Sequence, residues 1–230
     1  MNLTGVEVAT PISNEPIAPG FGPWEDPETR RRAATASVAV VLAVMMVDAL
    51  WSLVGMITVG GVVAVPDEGW FETYDSVTSG IILVYLALFF ISGLLFIRWQ
   101  RLAIRNTAFL GCERAEPSVG AATAGWFIPI ANLFLPLISF RQIAQWSRPP
   151  GSPNRRNLLT VWWLGWVLTN LSFSVISVLH TIENAGGAWV AVRGADAAAT
   201  LFQIAVGVLA IKVVNTLSRD QTAKAEALVR

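Results

Sequence analysis

Charge is what this chain has least of. Only 14% of its 230 residues are Asp, Glu, Lys or Arg, against about 25% in an ordinary soluble domain. Too few charges remain to coat a water-soluble sphere of this size, and 54% of the residues are hydrophobic. The composition is that of a membrane protein. Formal net charge is +0, which excludes a nucleic-acid binder with a basic bulk. The one cysteine, Cys112, excludes an internal disulfide. With a single histidine, His180, beside it, a Cys/His zinc site or a bis-histidine haem within one chain is excluded too. No nucleophile elbow, Walker A loop, dinucleotide fingerprint or zinc-protease helix occurs. Asp67, Glu68, Glu72 and Asp75 are too loosely spaced for a calcium loop. An enzyme is therefore the least favoured class, and no cofactor is expected.

What is present is a series of apolar runs. Residues 1–29 come first and differ in kind: prolines at 11, 16, 19, 23 and 27, several glycines and five acids. Spaced prolines break helix, and sparse apolar residues cannot offset ordering entropy, so 1–29 reads as a disordered tail. The apolar run begins too late and is too long for a cleavable signal peptide. Spans are expected at about 34–59, 77–97, 158–179 and 197–214, because about 20 apolar residues cross a bilayer. A further apolar stretch, 121–140, is interrupted by Pro129 and Pro136. Residues 219–230 read as a second tail. The fold expected is all-α: a bundle of four transmembrane helices over 30–218, plus a proline-broken segment that is re-entrant or lies in the interface.

The positive-inside rule chooses between four spans and five. With four spans and both ends cytoplasmic, only Arg193 of the 16 basic residues falls outside. A fifth crossing would export Arg141, Arg148, Arg155 and Arg156. Segment 121–140 should therefore return to the side it came from. Trp99, Trp146, Trp162, Trp163 and Trp166 fall near the inner interface, and Trp70 and Trp189 near the outer one. Indoles favour the headgroup level.

Three stretches together carry a resemblance: Phe96-Ile97-Arg98-Trp99-Gln100-Arg101-Leu102-Ala103-Ile104-Arg105-Asn106; Gly125-Trp126-Phe127-Ile128-Pro129-Ile130-Ala131-Asn132-Leu133 with Pro136; and Trp162-Trp163-Leu164-Gly165-Trp166. Over roughly 34–223 the pattern resembles a family of bacterial membrane proteins, found mostly in actinobacteria, catalogued as domain of unknown function 4328. The resemblance implies a multi-pass protein of the plasma membrane and implies no activity.

Within the spans, Asp48 is the one deep ionisable residue, and such a group is a functional candidate by default. At 1.5 Å per residue, Asp48, Tyr85 and Asn170 lie roughly 17–20 Å from the inner ends of their helices, and Gln203 slightly higher. These four are expected to form one polar layer. It reads either as a proton or cation site or as polar glue between helices. Gly125, Pro129, Asn132 and Pro136 mark the helix break, either lining a path or sealing the inner end. Arg98, Arg101 and Arg105 recur at i, i+3 and i+7 on one face, which suits anionic lipid headgroups. His180, near Glu183, reads as an interfacial imidazole without a task.

Two functions from different classes remain. One is a non-enzymatic membrane scaffold or accessory protein, with lipid, a membrane protein or a second copy as partner. The other is a small-solute or ion translocator built round Asp48. A water-lined cavity reaching Asp48 would favour transport, and a dry, packed bundle would favour scaffolding.

Overall fold

The computed structural model describes residues 24–60, 67–186 and 189–229, without the side chains of 173, 176, 177 and 179–186. Tail residues 1–23, and the side chains of His180 and Glu183, therefore lie outside the described residues. Within them the chain is helical, with no strand. Four helices are long: α1 (Glu28–Val59), α2 (Glu68–Phe109), α6 (Arg156–Gly186) and α7 (Trp189–Val229). Three short ones, α3 (Val119–Ala124), α4 (Pro129–Asn132) and α5 (Leu135–Ser147), lie between α2 and α6.

Among the described residues three helices, α1, α2 and α7, are long and apolar enough to cross a membrane, where four were expected. The expected span 158–179 falls in α6, part of whose side chains are outside the described set. The other expected spans sit inside helices that run well past them. α2 has 42 residues and α7 has 41, about 60 Å each at 1.5 Å per residue, twice the bilayer's hydrocarbon core of about 30 Å.

α1 packs on both α2 and α7, and α7 packs on α6, so the long helices follow the order α2, α1, α7, α6. Glycines let two of these contacts close. A Cβ at Gly165 would stand 2.7 Å from Val206 Cγ2, and one at Gly55 2.7 Å from the Tyr74 ring. Small residues at such crossings let helices approach where lipid supplies no hydrophobic drive. At one end α5 packs on α2, α6 and α7 and closes the row into a bundle. That end carries Glu28, Phe109, Arg156 and Val229, and is called the basic end below.

The deepest packing is at the basic end. Trp99, Ala103, Ile104, Phe140, Ile143, Leu159, Val213, Val214 and Leu217 are all buried there in one cluster. Several polar groups inside it are paired, while Gln221 Oε1 and Ser147 Oγ are buried without a partner among the described residues. Trp99 Nε1 donates to Ser218 Oγ at 2.8 Å, Gln100 Nε2 to Ser139 Oγ at 2.8 Å, and Gln221 Nε2 to the Ala103 carbonyl at 2.7 Å. Such pairing is what makes buried polar groups tolerable.

Both expected tails have their boundaries corrected by this packing. Residues 219–229 are not a free tail: α7 continues to Val229, with Asp220 and Gln221 buried. Asp220 accepts from Arg155 Nε at 2.9 Å and Nη2 at 3.0 Å. Lys224 Nζ donates to the carbonyls of Leu110 at 3.0 Å and Trp146 at 2.6 Å, tying the ends of α2 and α5 to α7. Nor does the N-terminal tail reach residue 29. Trp24 packs on Phe109 with ring centroids 5.6 Å apart, and Asn106 Nδ2 donates to the Glu25 carbonyl at 2.8 Å. α1 starts at Glu28 directly after Pro27.

Candidate functional site

Three polar stripes meet between α1, α2 and α7. α1 contributes Asp48 and Ser52, one turn apart. α2 contributes Thr78 and Tyr85, at i and i+7. α7 contributes Arg193, Asp196, Thr200 and Gln203, at i, i+3, i+7 and i+10. Those spacings put each set on one helix face, and together they line a cavity of about 380 Å³. α1 forms its floor, and α2 and α7 form its walls. Val44, Met45, Ile81, Ile82 and Leu86 supply its apolar lining.

Packed layers flank the cavity along the helices. At the basic end, α2 and α7 meet through the Trp99–Ser218 and Ala103–Gln221 bonds. At the other end stands an aromatic cluster. Tyr74 stacks on Trp51 at 5.2 Å and on Trp70 at 5.1 Å, and meets Trp189 edge-on at 5.3 Å. Trp51 Nε1 donates to Thr78 Oγ1 at 3.1 Å, which anchors the cluster to the cavity rim. Arg193 lies 5.3 Å from the Trp189 ring centroid and pairs with Asp196 at 3.5 Å. Cation–π contact and ion pairing are how a guanidinium is held away from water.

Of the four residues expected in one polar layer, Asp48, Tyr85 and Gln203 share this cavity and Asn170 does not. Asn170 is exposed on α6 and returns its amide to its own helix, Nδ2 donating to the Trp166 carbonyl at 2.8 Å. Depth alone placed it in the layer, but α6 is separated from α1 by α7. Conversely, Arg193 and Asp196 join the cavity although the expected span began at 197, and Thr200, inside that span, joins them. α7 starts at Trp189, and the i, i+3, i+7 polar spacing was the available signal.

Residues 121–140 form a hairpin. α3 leads inward, the chain turns over Gly125–Phe134, and α5 leads back to the basic end. The break falls over Gly125–Phe134, and neither proline stands in the middle of a helix. Pro129 and Pro136 each stand in the first turn of a helix, α4 and α5. There a missing N–H costs nothing. Gly125 makes the reversal possible, since a Cβ would stand 2.8 Å from Leu135 Cβ. Asn132 closes α4, with its side-chain oxygen buried. Trp126 holds the hairpin in place: Nε1 donates to Gln100 Oε1 at 2.6 Å, and the ring meets Phe96 and Trp166 edge-on. Beyond it the tip exposes Phe127, Ile130 and Phe134, Ile130 by 75%.

Arg98, Arg101 and Arg105 lie on one face of α2, and Trp99, Leu102 and Asn106 on the buried side. Arg98 is exposed, whereas Arg101 Nη1 donates to Thr123 Oγ1 of α3 at 3.2 Å. Cys112 is buried in the loop after α2. Among the described residues no three His, Cys, Asp or Glu side chains gather to hold a metal.

Apolar helices, a polar cavity within them and a folded cap at one end define a helical membrane protein. Residues 64–219, more than half of the chain, match the family described as Domain of unknown function (DUF4328), and the chain belongs to that family. No curated protein and no solved structure matches it.

Proposed function

We propose that this chain is a non-enzymatic accessory or scaffold protein of the bacterial plasma membrane, with four spans, both ends cytoplasmic and the basic end as its working face. The observation that carries the reading is the packing of that end. Trp99, Phe140, Ile143, Leu159 and Leu217, from four different helices, are at most 1% exposed. Hydrogen bonds cross-link α2, α5 and α7 there. A rigid, solvent-facing cap of this kind presents a defined surface to a partner and blocks passage beneath it. The orientation rests on the distribution of basic residues, and the lipid partner on Arg98 and its neighbours facing headgroups.

A second reading is favoured by the cavity at Asp48. Charged groups at that depth are costly and mark ion or solute sites. In this reading Asp48 carries the proton or cation, and passage requires the cap to open.

Affinity purification from the native membrane tests the first reading: a stoichiometric partner lost when basic-end surface residues are changed is expected. Flux in reconstituted vesicles tests the second. A pH- or ion-dependent flux abolished by Asp48→Asn, with the fold intact, would replace the accessory reading. Labelling of a cysteine at Ser152 by an impermeant reagent outside intact cells would overturn the topology.

A further inference from the structure

The last turns of α5 and the first turn of α6 enclose a second cavity, of about 290 Å³, and four arginines line it: Arg141, Arg148, Arg155 and Arg156. The loop between them sets this up. Pro149 to Ser152 forms a turn, Ser152 N donating to the Pro149 carbonyl at 3.2 Å, with Gly151 at φ 75°. The two helix ends are thereby brought side by side. Asn154 Oδ1 accepts from Arg156 N at 2.9 Å and fixes where α6 begins. Leu159, 1% exposed, is a firm floor.

Among the described residues, only one of the four charges in this cavity has a carboxylate partner. Arg155 has a carboxylate, Asp220, which grips it with two parallel hydrogen bonds at 2.9 and 3.0 Å. Arg141 touches a hydroxyl, Thr160 Oγ1, at 3.4 Å. Arg148 and Arg156 make no side-chain ion pair among the described residues, and no Asp or Glu lines the cavity. Like charges gathered in one concavity repel, and an anion relieves that repulsion. Guanidinium groups present planar, paired donors that match phosphate oxygens. The volume is at the small end for a ligand site, which fits a phosphate with a short substituent better than a bulky anion.

We propose that this arginine-lined cavity binds a phosphate group, with Arg141, Arg148 and Arg156 as its direct ligands and Arg155 held in place by Asp220. Arg156 lies two residues before the apolar stretch that begins at Leu158, about 3 Å along the helix axis. That is headgroup level, so both a phospholipid headgroup and a soluble phosphate can reach it. The site is separate from the Asp48 cavity and does not depend on the accessory reading.

The test uses the full chain purified in a neutral detergent. Inorganic phosphate is titrated in one arm, and dioleoyl-phosphatidylglycerol in mixed micelles in the other, with dioleoyl-phosphatidylcholine as control. Thermal midpoint is followed in each. A saturable rise with phosphatidylglycerol alone identifies a lipid headgroup, and a rise with inorganic phosphate identifies a soluble source. In either case Arg148→Gln/Arg156→Gln should weaken apparent affinity at least tenfold. Arg219→Gln, at the same end but outside the cavity, should leave it unchanged. Should the double variant not fold, Arg148→Gln alone takes its place, since that side chain is exposed. Absence of a saturable rise in both arms overturns the proposal. So does an Arg219→Gln loss equal to that of the cavity variants, which would show attraction to bulk charge only.

Discussion

The two halves of this molecule are held together differently. At the basic end, large aromatic and aliphatic side chains are buried to completion, and Trp99, Gln100 and Gln221 make hydrogen bonds between helices. In the other half, α2 exposes nearly every large side chain from Val77 to Leu94, Leu83 by 69%. Lipid solvates those side chains as well as protein would, so burying them gains little. Contacts there come instead from glycines that let helices touch, from the aromatic cluster round Tyr74 and from polar stripes turned inward. The basic end lies beyond the apolar runs, and so has to build a core like a soluble protein's.

The sharpest break of this comparison is a pair of truncations. Trp99→Ala should cost about 3–5 kcal/mol, as for large-to-small changes in a soluble core. Leu83→Ala, facing lipid, should cost under about 0.5 kcal/mol, as surface substitutions do. Denaturation of the purified chain in detergent measures both, and equal losses would dissolve the distinction between the halves.

Asp220→Ala comes next. It strands the half-buried Arg155 guanidinium, and about 1–3 kcal/mol should be lost. Asp220→Asn should recover part of this, because one hydrogen bond survives. Gly55→Val tests the lipid-facing half by overpacking. The new side chain meets the Tyr74 and Trp189 rings, and about 1–3 kcal/mol is expected, with hydrogen-exchange protection of the Trp99 and Leu217 amides unchanged if the halves respond separately.

The smallest effect is at Glu28, where hydrogen bonds from Arg31 and Arg32 bring the carboxyl from its ordinary 4.5 down to about 2. Between those values the unfolded chain takes up the proton first. The contribution of Glu28 is therefore full above pH 4.5 and fades as pH falls toward 2. Glu28→Gln should flatten the acid limb of the stability curve slightly, since solvent screens so exposed a cluster.

Much of this was legible in the residues. The apolar runs located α1, α2 and α7. Hydropathy failed where helices leave the lipid. Beyond Ile97 and beyond Val214 it falls, yet both helices continue, because Trp99, Leu102, Ala103 and Asn106, and Leu217, Ser218, Gln221 and Ala225, keep a helical period. That period was the overlooked signal against a free C-terminal tail. Depth counting brought Asp48, Tyr85 and Gln203 together but misplaced Asn170, since a count along each helix carries no information on rotation or on which helices are neighbours. The expected span stops short of Arg193 and Asp196, yet α7 begins at Trp189, because a paired arginine and aspartate can stay inside the helix.

The bonds from Gln221 to Ala103 and from Lys224 to Leu110 and Trp146 have a consequence for biosynthesis. α7 is made after every other helix described, yet it supplies Val213, Val214 and Leu217 to the central cluster and closes the ends of α2 and α5. While the ribosome is still translating α7, the preceding segments are already emerging with Trp99, Phe140 and Trp162 lacking their final neighbour. The cap can lock only when residues up to about Ala225 have cleared the exit tunnel, so the protein is inserted first and finished last.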